Sequence, residues 1–329
     1  MPSASRLSVL DDLFLHLETE NVHMHIGAVA LFGGPAPSLE EVADEMAHRL
    51  DRIPRFRQKL AAVPFGLGRP VWVDDPNFEI ERHLRHAALP PPGDRRRLNR
   101  FVARTISEPL DLTGPPWELH LVEGLAGGCF ALISKTHHCL VDGAAGVDAM
   151  MAFLDDLSAP ARGPRIHWKP SPAPTFDELV ADAVREQLTR ARALAGELHS
   201  LSVAPHETAD RTAAAIRRVG DFVASSFAAP STTLNRTVGP QRSFETVPAS
   251  FHDLRTVKNR FETTLNDVVL AVVAGGLRAL LTEKGDELQE LRALVPVSLR
   301  TSEDSAFGNR ISSVWAPLPV DEPDPGKRL

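Results

Sequence analysis

The chain has 329 residues, 43% of them hydrophobic and 24% charged, and a formal net charge of −7. This is the composition of a globular protein with enough apolar material for a sizeable core and a length suited to about two domains. The acidic balance argues against nucleic acid as a partner, and two cysteines, Cys129 and Cys139, exclude a disulfide scaffold and fit a reducing compartment.

No basic region followed by an apolar run stands at the N-terminus, so no signal peptide is expected. Residues 24–32 (MHIGAVALF) are short, apolar and followed by Gly33-Gly34-Pro35, which predicts a buried strand. Ser38 with Glu41 three residues on has the capping-box spacing. Leu39, Val42, Met46, Leu50 and Ile53 then recur at helical spacing. Residues 71–73 and 78–83 are shorter strand candidates. A second helix is expected from Asp94, with Leu98, Phe101, Val102 and Thr105 on one side. The triplet Arg95, Arg96, Arg97 at its start reads as a solvated face.

Residues 117–122 alternate apolar and polar, and residues 129–136 (CFALISKT) run on as a second strand. Gly124 and Gly127-Gly128 make the turn of the expected hairpin. That second strand ends in HHCLVDG, residues 137–143. After Gly143 the period changes to 3.6, with Val147, Met150, Met151, Leu154 and Leu157 on a helical stripe. The histidines therefore lie between a strand end and a helix N-terminus, where unpaired N–H groups and a partial positive charge collect. Residues 158–174 read as a linker, 176–198 and 211–227 as amphipathic helices, and 244–254 as strand and then turn. Thr264 is expected to cap a buried helix over 265–281, and 294–297 reads as a strand. The apolar stretch 268–281 falls short of the roughly 20 residues that span a bilayer. Any membrane contact is thus expected to be peripheral.

Adjacent histidines in an extended segment point to opposite faces. Three readings of His137 and His138 follow. One ring is packed and the other solvated; or one is a general base, since neutral imidazole accepts a proton near neutral pH; or they bind a metal with Asp142 and His120. Opposite-face neighbours make a poor chelate, so no metal is assigned. Asp142 either orients a histidine or locks the turn. A nucleophilic triad is disfavoured, because no G-x-S-x-G elbow is present and Cys139 lies in apolar surroundings that raise a thiol pKa. Which histidine faces a pocket stays open at this level.

HHCLVDG matches the HHxxxDG signature of the acyltransferase superfamily that includes chloramphenicol acetyltransferase and peptide-synthetase condensation domains. LSVLDDLFLHLETENVHMHIGAVALF, PPWELHLVEGL, TLNDVVLAVVAGGLRALL, VPVSLR and FGNRISSVWAPLPVDEPDP narrow the likeness. With them the chain resembles the bacterial wax ester synthase/diacylglycerol acyltransferase family over residues 7–329. The resemblance implies an α/β fold, an α+β two-layer sandwich of the chloramphenicol acetyltransferase kind. It has two similar domains with the second cut short: residues 1–165 carry HHxxxDG, 166–242 form a linker with amphipathic helices, and 243–329 form an incomplete second domain.

It further implies direct acyl transfer from acyl-CoA, a co-substrate rather than a cofactor, to diacylglycerol or a long-chain fatty alcohol. His138 is then the general base, with His137, Asp142 and Gly143 in support. The family's PLW and ND segments fall here on Pro115-Pro116-Trp117 and Asn266-Asp267. Trp117, Asn266 and Asp267 are accordingly candidate substrate-site residues, although capping is an equal expectation for the ND pair. No cofactor, metal or nucleic acid is expected. The implied location is cytoplasmic, peripheral at the inner membrane or lipid droplets. Two other functions are compatible with the sequence, a non-catalytic lipid-binding remnant and condensation-type chemistry on carrier-bound substrates.

Overall fold

The computed structural model describes residues 5–51, 53–140, 168–203, 230, 232–298 and 311–329. Asp142, Gly143, the helix expected after Gly143, the 211–227 helix and most of the 158–174 linker lie outside the described residues. The chain divides into two compact units, residues 1–187 with 238–246 and 298–311, and residues 188–237 with 247–297 and 312–329.

The first unit opens with β1 (Ser5–Arg6), α1 (Val9–Leu17), β2 (His25–Phe32) and α2 (Leu39–Arg49). It continues with β3 (Gln58–Ala61), β4 (Val71–Asp74), β5 (Leu84–Ala88), α3 (Arg95–Ser107), β6 (Trp117–Leu125) and β7 (Cys129–His137). A four-stranded sheet has the order β2-β7-β6-β5, and a small sheet the order β1-β4-β3. The β6–β7 hairpin is antiparallel and β2 pairs antiparallel with β7, whereas β5 runs parallel to β6. A parallel neighbour needs a crossover, and α3 supplies it.

Strand alternation divides the core. Trp117, Leu119 and Leu121 of β6 point to one face, where they join Val42, Met46, Leu50 and Ile53 from α2 and the turn after it. Val122, Ala131 and Ile133 point to the other, against Leu98 and Val102 of α3. The expected stripes on both helices are thus the buried ones. Both helix starts are also as expected: Ser38 and Glu41 form a reciprocal capping box, and Asp94 accepts the Arg97 N–H.

The far end of α3 is held by side chains from β7, from the start of β2 and from the chain just before it. The last carbonyls of a helix lack intrahelical partners and carry partial negative charge. Here the His25 Nε2 donates to Ile106 O at 3.0 Å, the His23 Nε2 to Ser107 O at 3.1 Å, and the Lys135 Nζ to Glu108 O at 2.5 Å. Gly27 makes room for this approach, because a Cβ there would sit 2.3 Å from the Ile106 side chain. Burial, reinforced by Lys135, lowers the His25 pKa to about 4. Lys135 is likewise lowered, by burial, against the opposing pull of Glu118, Glu108 and Glu18.

Several sequence expectations are corrected. Residues 78–83 are not a strand: Ile80–His83 is a 3-10 turn, and the strand begins at Leu84. The hairpin turn spans residues 126–128, whereas Gly124 sits in a bulge of β6, at φ 77° and against the Leu89 carbonyl. The strand expected after Phe244 is irregular chain followed by a helix, because Ser250 caps the Asp253 N–H and starts α5 (Phe251–Arg260). Helix α4 (Phe176–Val203) agrees with the expected 176–198 helix and runs five residues further.

In the second unit, α6 (Leu265–Lys284) follows Thr264, whose capping box closes with Asp267, and ends on left-handed Gly285. Strands β8 (Leu291–Ser298) and β9 (Ile311–Leu318) pair, and a single turn, α7 (Pro325–Arg328), follows. Val268, Ala274 and Leu281 of α6 are buried, and Ala274 and Leu281 pack with Leu291, Leu318 and Val320. Contrary to expectation α6 is not buried all round, for Val272 on its other side is 64% exposed. The caps also extend the helix beyond the apolar stretch to 20 residues, a length and composition able to cross a bilayer, where the stretch alone was expected to be too short.

Two outcomes follow for the first unit. Ile133→Ala, which hollows the α3 face, lowers its stability by about 2–5 kcal/mol, while Ser38→Ala costs about 1 kcal/mol, both read from urea midpoints. The neutral His25 contributes stability that is complete above its ordinary value of 6.5 and is lost as pH falls toward about 4, because the unfolded chain takes up the proton first. An NMR titration of the His25 ring with a midpoint near 6.5 would contradict this.

Candidate active site

β7 ends where the two histidines begin. The His137 N–H donates to Pro116 O at 3.0 Å, on the β6 side, and the His138 N–H donates to Met24 O at 2.8 Å, just before β2. The Leu140 N–H then reaches back to His137 O at 3.0 Å, so the chain turns at once. His137 continues the inward row Ala131, Ile133, Lys135 on the α3 face and is 0% exposed. His138 breaks the row and is half-buried.

The His137 ring is held from its Nδ1 side. Its Nδ1 accepts the Cys139 N–H at 3.1 Å, so in the neutral ring the proton resides on Nε2. That Nε2 faces Glu18 Oε2 at 3.4 Å. Burial lowers the His137 pKa, Glu18 opposes the shift, and neighbouring His138 adds to it. Cys139 is 4% exposed, and burial raises its thiol far from ionisation, which removes it as a nucleophile.

Glu18 and Phe14 were not singled out from sequence, yet α1 delivers both to the histidines. Phe14 stacks on the His138 ring with centroids 4.4 Å apart and planes 22° apart. Glu18, the C-terminal cap of α1, lies between His137 and the His23 Nδ1, 3.7 Å away, and receives the Met24 N–H at 3.4 Å. The signal available was a carboxylate shortly before two further histidines, one ahead of β2 at position 23 and one at its first residue, position 25. It lacks any fixed spacing to residues 137–138, which come more than a hundred positions later.

Trp117 is 2% exposed, donates its Nε1–H to Phe56 O at 2.8 Å, and stacks on His83 at 4.4 Å. Its backbone is opposite Thr136 in the sheet, one residue before His137. Its indole is a core element, and with His83 it backs a polar cleft of about 240 Å³ that also meets Asp75, Arg85 and Asp111. Asn266 and Asp267 belong to the second unit. Asn266 is exposed, and Asp267 is occupied by capping: it receives the Thr264 N–H at 2.9 Å and both threonine hydroxyls, Thr263 and Thr264, at 2.6 Å. Those bonds hold its carboxyl at about 2. Thus His137, His138 and the backbone before Trp117 are brought together within one unit. Asp142 and Gly143 lie outside the described residues.

Residues 7–269 match the wax ester synthase/diacylglycerol acyltransferase catalytic domain. The chain is 32% identical over 330 residues to the probable diacylglycerol O-acyltransferase tgs1 of Mycobacterium tuberculosis H37Rv, covering 99% of this chain and 69% of that protein. It is 35% identical over 262 residues to the probable diacylglycerol O-acyltransferase tgs3 of the CDC 1551 strain, covering 78% and 97%. Among solved structures, the wax ester synthase/diacylglycerol acyltransferase from Marinobacter aquaeolei VT8 superposes with a TM-score of 0.64 at 29% identity, over 98% of this chain and 69% of that one. The first condensation domain of the calcium-dependent antibiotic synthetase, at 17% identity and a TM-score of 0.59 over 96% and 69%, shares the fold. With the catalytic-domain match covering most of its length and curated relatives above 30% identity, this chain belongs to the wax ester synthase/diacylglycerol acyltransferase family.

Proposed function

We propose that this acyltransferase moves the acyl group of an acyl-CoA to the hydroxyl of diacylglycerol, and to that of long-chain fatty alcohols, in one direct step with His138 as general base. The observation that carries the reading is the contrast between the two rings. His137 is sealed, with Nδ1 and Nε2 directed at Cys139 and Glu18, whereas His138 stands half-buried beside Phe14. A base must be reachable by the proton it removes, and this difference favours His138.

In the step, the His138 ring takes the proton of the acceptor hydroxyl as its oxygen attacks the thioester carbonyl. The tetrahedral oxyanion collapses, the carbon–sulfur bond breaks, and the leaving thiolate receives the proton from the imidazolium. No covalent acyl-enzyme is required. General-base help of this kind is worth roughly 10²–10⁴-fold, and joint binding of the two substrates adds the benefit of proximity. His137 is a positioning residue: its bonds to the Cys139 N–H and toward Glu18 brace the turn that presents its neighbour. Stacking on Phe14 restricts the plane of the His138 ring. No metal or cofactor takes part, and acyl-CoA enters as co-substrate.

The test uses the purified chain with labelled palmitoyl-CoA and either dipalmitoylglycerol or hexadecanol. His138→Ala lowers ester formation by about 10²–10⁴-fold with the melting transition unchanged. His137→Ala, which strips the Cys139 N–H and Glu18 of their ring, costs about 1–3 kcal/mol of stability. Equal turnover by wild type and His138→Ala would remove the base assignment, and lipid binding without any turnover would favour the non-catalytic reading.

A further inference from the structure

The arginine triplet that opens α3 has no part in the chemistry above. At 100° per residue, Arg96, Arg97, Arg100 and Arg104 fall within an arc of about 100°, opposite the buried residues Leu98 and Val102. Arg95, Arg96, Arg100 and Arg104 are exposed. Among the described residues no carboxylate pairs with any of the five. The nearby Glu245 is engaged by the Asn99 amide at 2.8 Å. Arg97 donates to Pro90 O at 2.8 Å and to Pro91 O, which ties the preceding loop to the helix.

Beneath these charges the floor is apolar. A shallow groove of about 330 Å³ is lined by Leu89, Pro90 and Phe101 and by the stems of Arg97, Arg100 and Arg104. The Arg104 guanidinium lies 5.4 Å from the Phe101 ring centre.

We propose that this face of α3 docks the protein on an anionic phospholipid bilayer. Guanidinium groups pair with phosphate in bidentate fashion, and long arginine stems lie along apolar surface while their heads reach outward. A strip of guanidiniums with no carboxylate partner among the described residues, set over an apolar floor, suits the boundary between headgroups and acyl chains. A nucleic acid or an acidic protein would use the charges but not the floor. The net charge of −7 does not oppose docking, because fields in physiological salt decay within about 8 Å, so the bilayer responds to the nearest face. The proposal does not depend on acyl transfer, and its test does not measure it.

The experiment is co-sedimentation of the full chain with phosphatidylcholine vesicles, alone or containing about 30 mol % phosphatidylglycerol. Wild type binds the anionic vesicles and not the neutral ones, and binding falls as salt rises from about 0.05 to 0.5 M. The R96Q/R100Q/R104Q variant keeps its melting temperature and loses more than about tenfold in partitioning. A control, R82Q/R192Q/R236Q, removes the same charge elsewhere and binds as wild type does. The proposal is overturned by equal binding to neutral vesicles, by a stripe variant that binds like wild type, by equal loss in the control, or by capture on heparin or DNA without vesicle binding.

Discussion

The hydrogen bond from the His138 N–H to the Met24 carbonyl, together with that from the His137 N–H to Pro116, decides what the rest of the site can be. These bonds tie the end of β7 to chain on both flanks, and the Leu140 N–H closes the turn directly behind them. Because neighbouring side chains of an extended chain diverge, holding the backbone there drives one imidazole inward and leaves its neighbour half-buried. A one-residue slip would exchange their roles and move the row Ala131, Ile133, Lys135 from the α3 face of the sheet to the α2 face.

The interior on the α3 side of the sheet is apolar at one end and polar at the other. Ala131 and Ile133 pack against Leu98 and Val102, and then Lys135, His137 and His25 take their place toward the site. A buried polar group is tolerable when it is bonded, and here the end of a helix provides the acceptors. His23, His25 and Lys135 reach the carbonyls of Ser107, Ile106 and Glu108. The crossover helix between β5 and β6 therefore has three duties: it fills the core, it closes a titratable layer next to the histidine pair, and it offers its arginines outward. The carbonyls that meet the titratable layer lie at the C-terminal end of the helix, while the core-filling and arginine-bearing residues lie along its length.

Local signals in the sequence were informative where the physics is local. The capping spacings at Ser38 and Thr264 and the cap at Asp94 set the starts of α2, α6 and α3, because each rests on bonds within a single turn. The glycine-rich turn after β6 was legible for the same reason. Where two local patterns compete, the sequence misled. Residues 78–81 are apolar and polar in alternation, yet a 3-10 turn forms over Ile80–His83, with the His83 Nδ1 on Trp117 O and the ring on the Trp117 indole. Phe244 likewise joins the α3 core without entering a strand, since β-strand identity requires a partner edge. Helix α1 escaped notice, and with it went Phe14 and Glu18, whose meaning arises only from contact with residues far along the chain.

Adjacency of His137 and His138 was enough to establish that only one of them could face a given pocket, and the signature around them was enough to suggest the family. Neither could say which ring is sealed. Alternation along a strand has two equivalent phases, and nothing within the strand chooses between them. The choice comes from register with β2 and β6 and from the helix that lands on one face, all of them contacts between distant segments. Tertiary structure alone therefore buried His137 against Glu18 and left His138 beside Phe14.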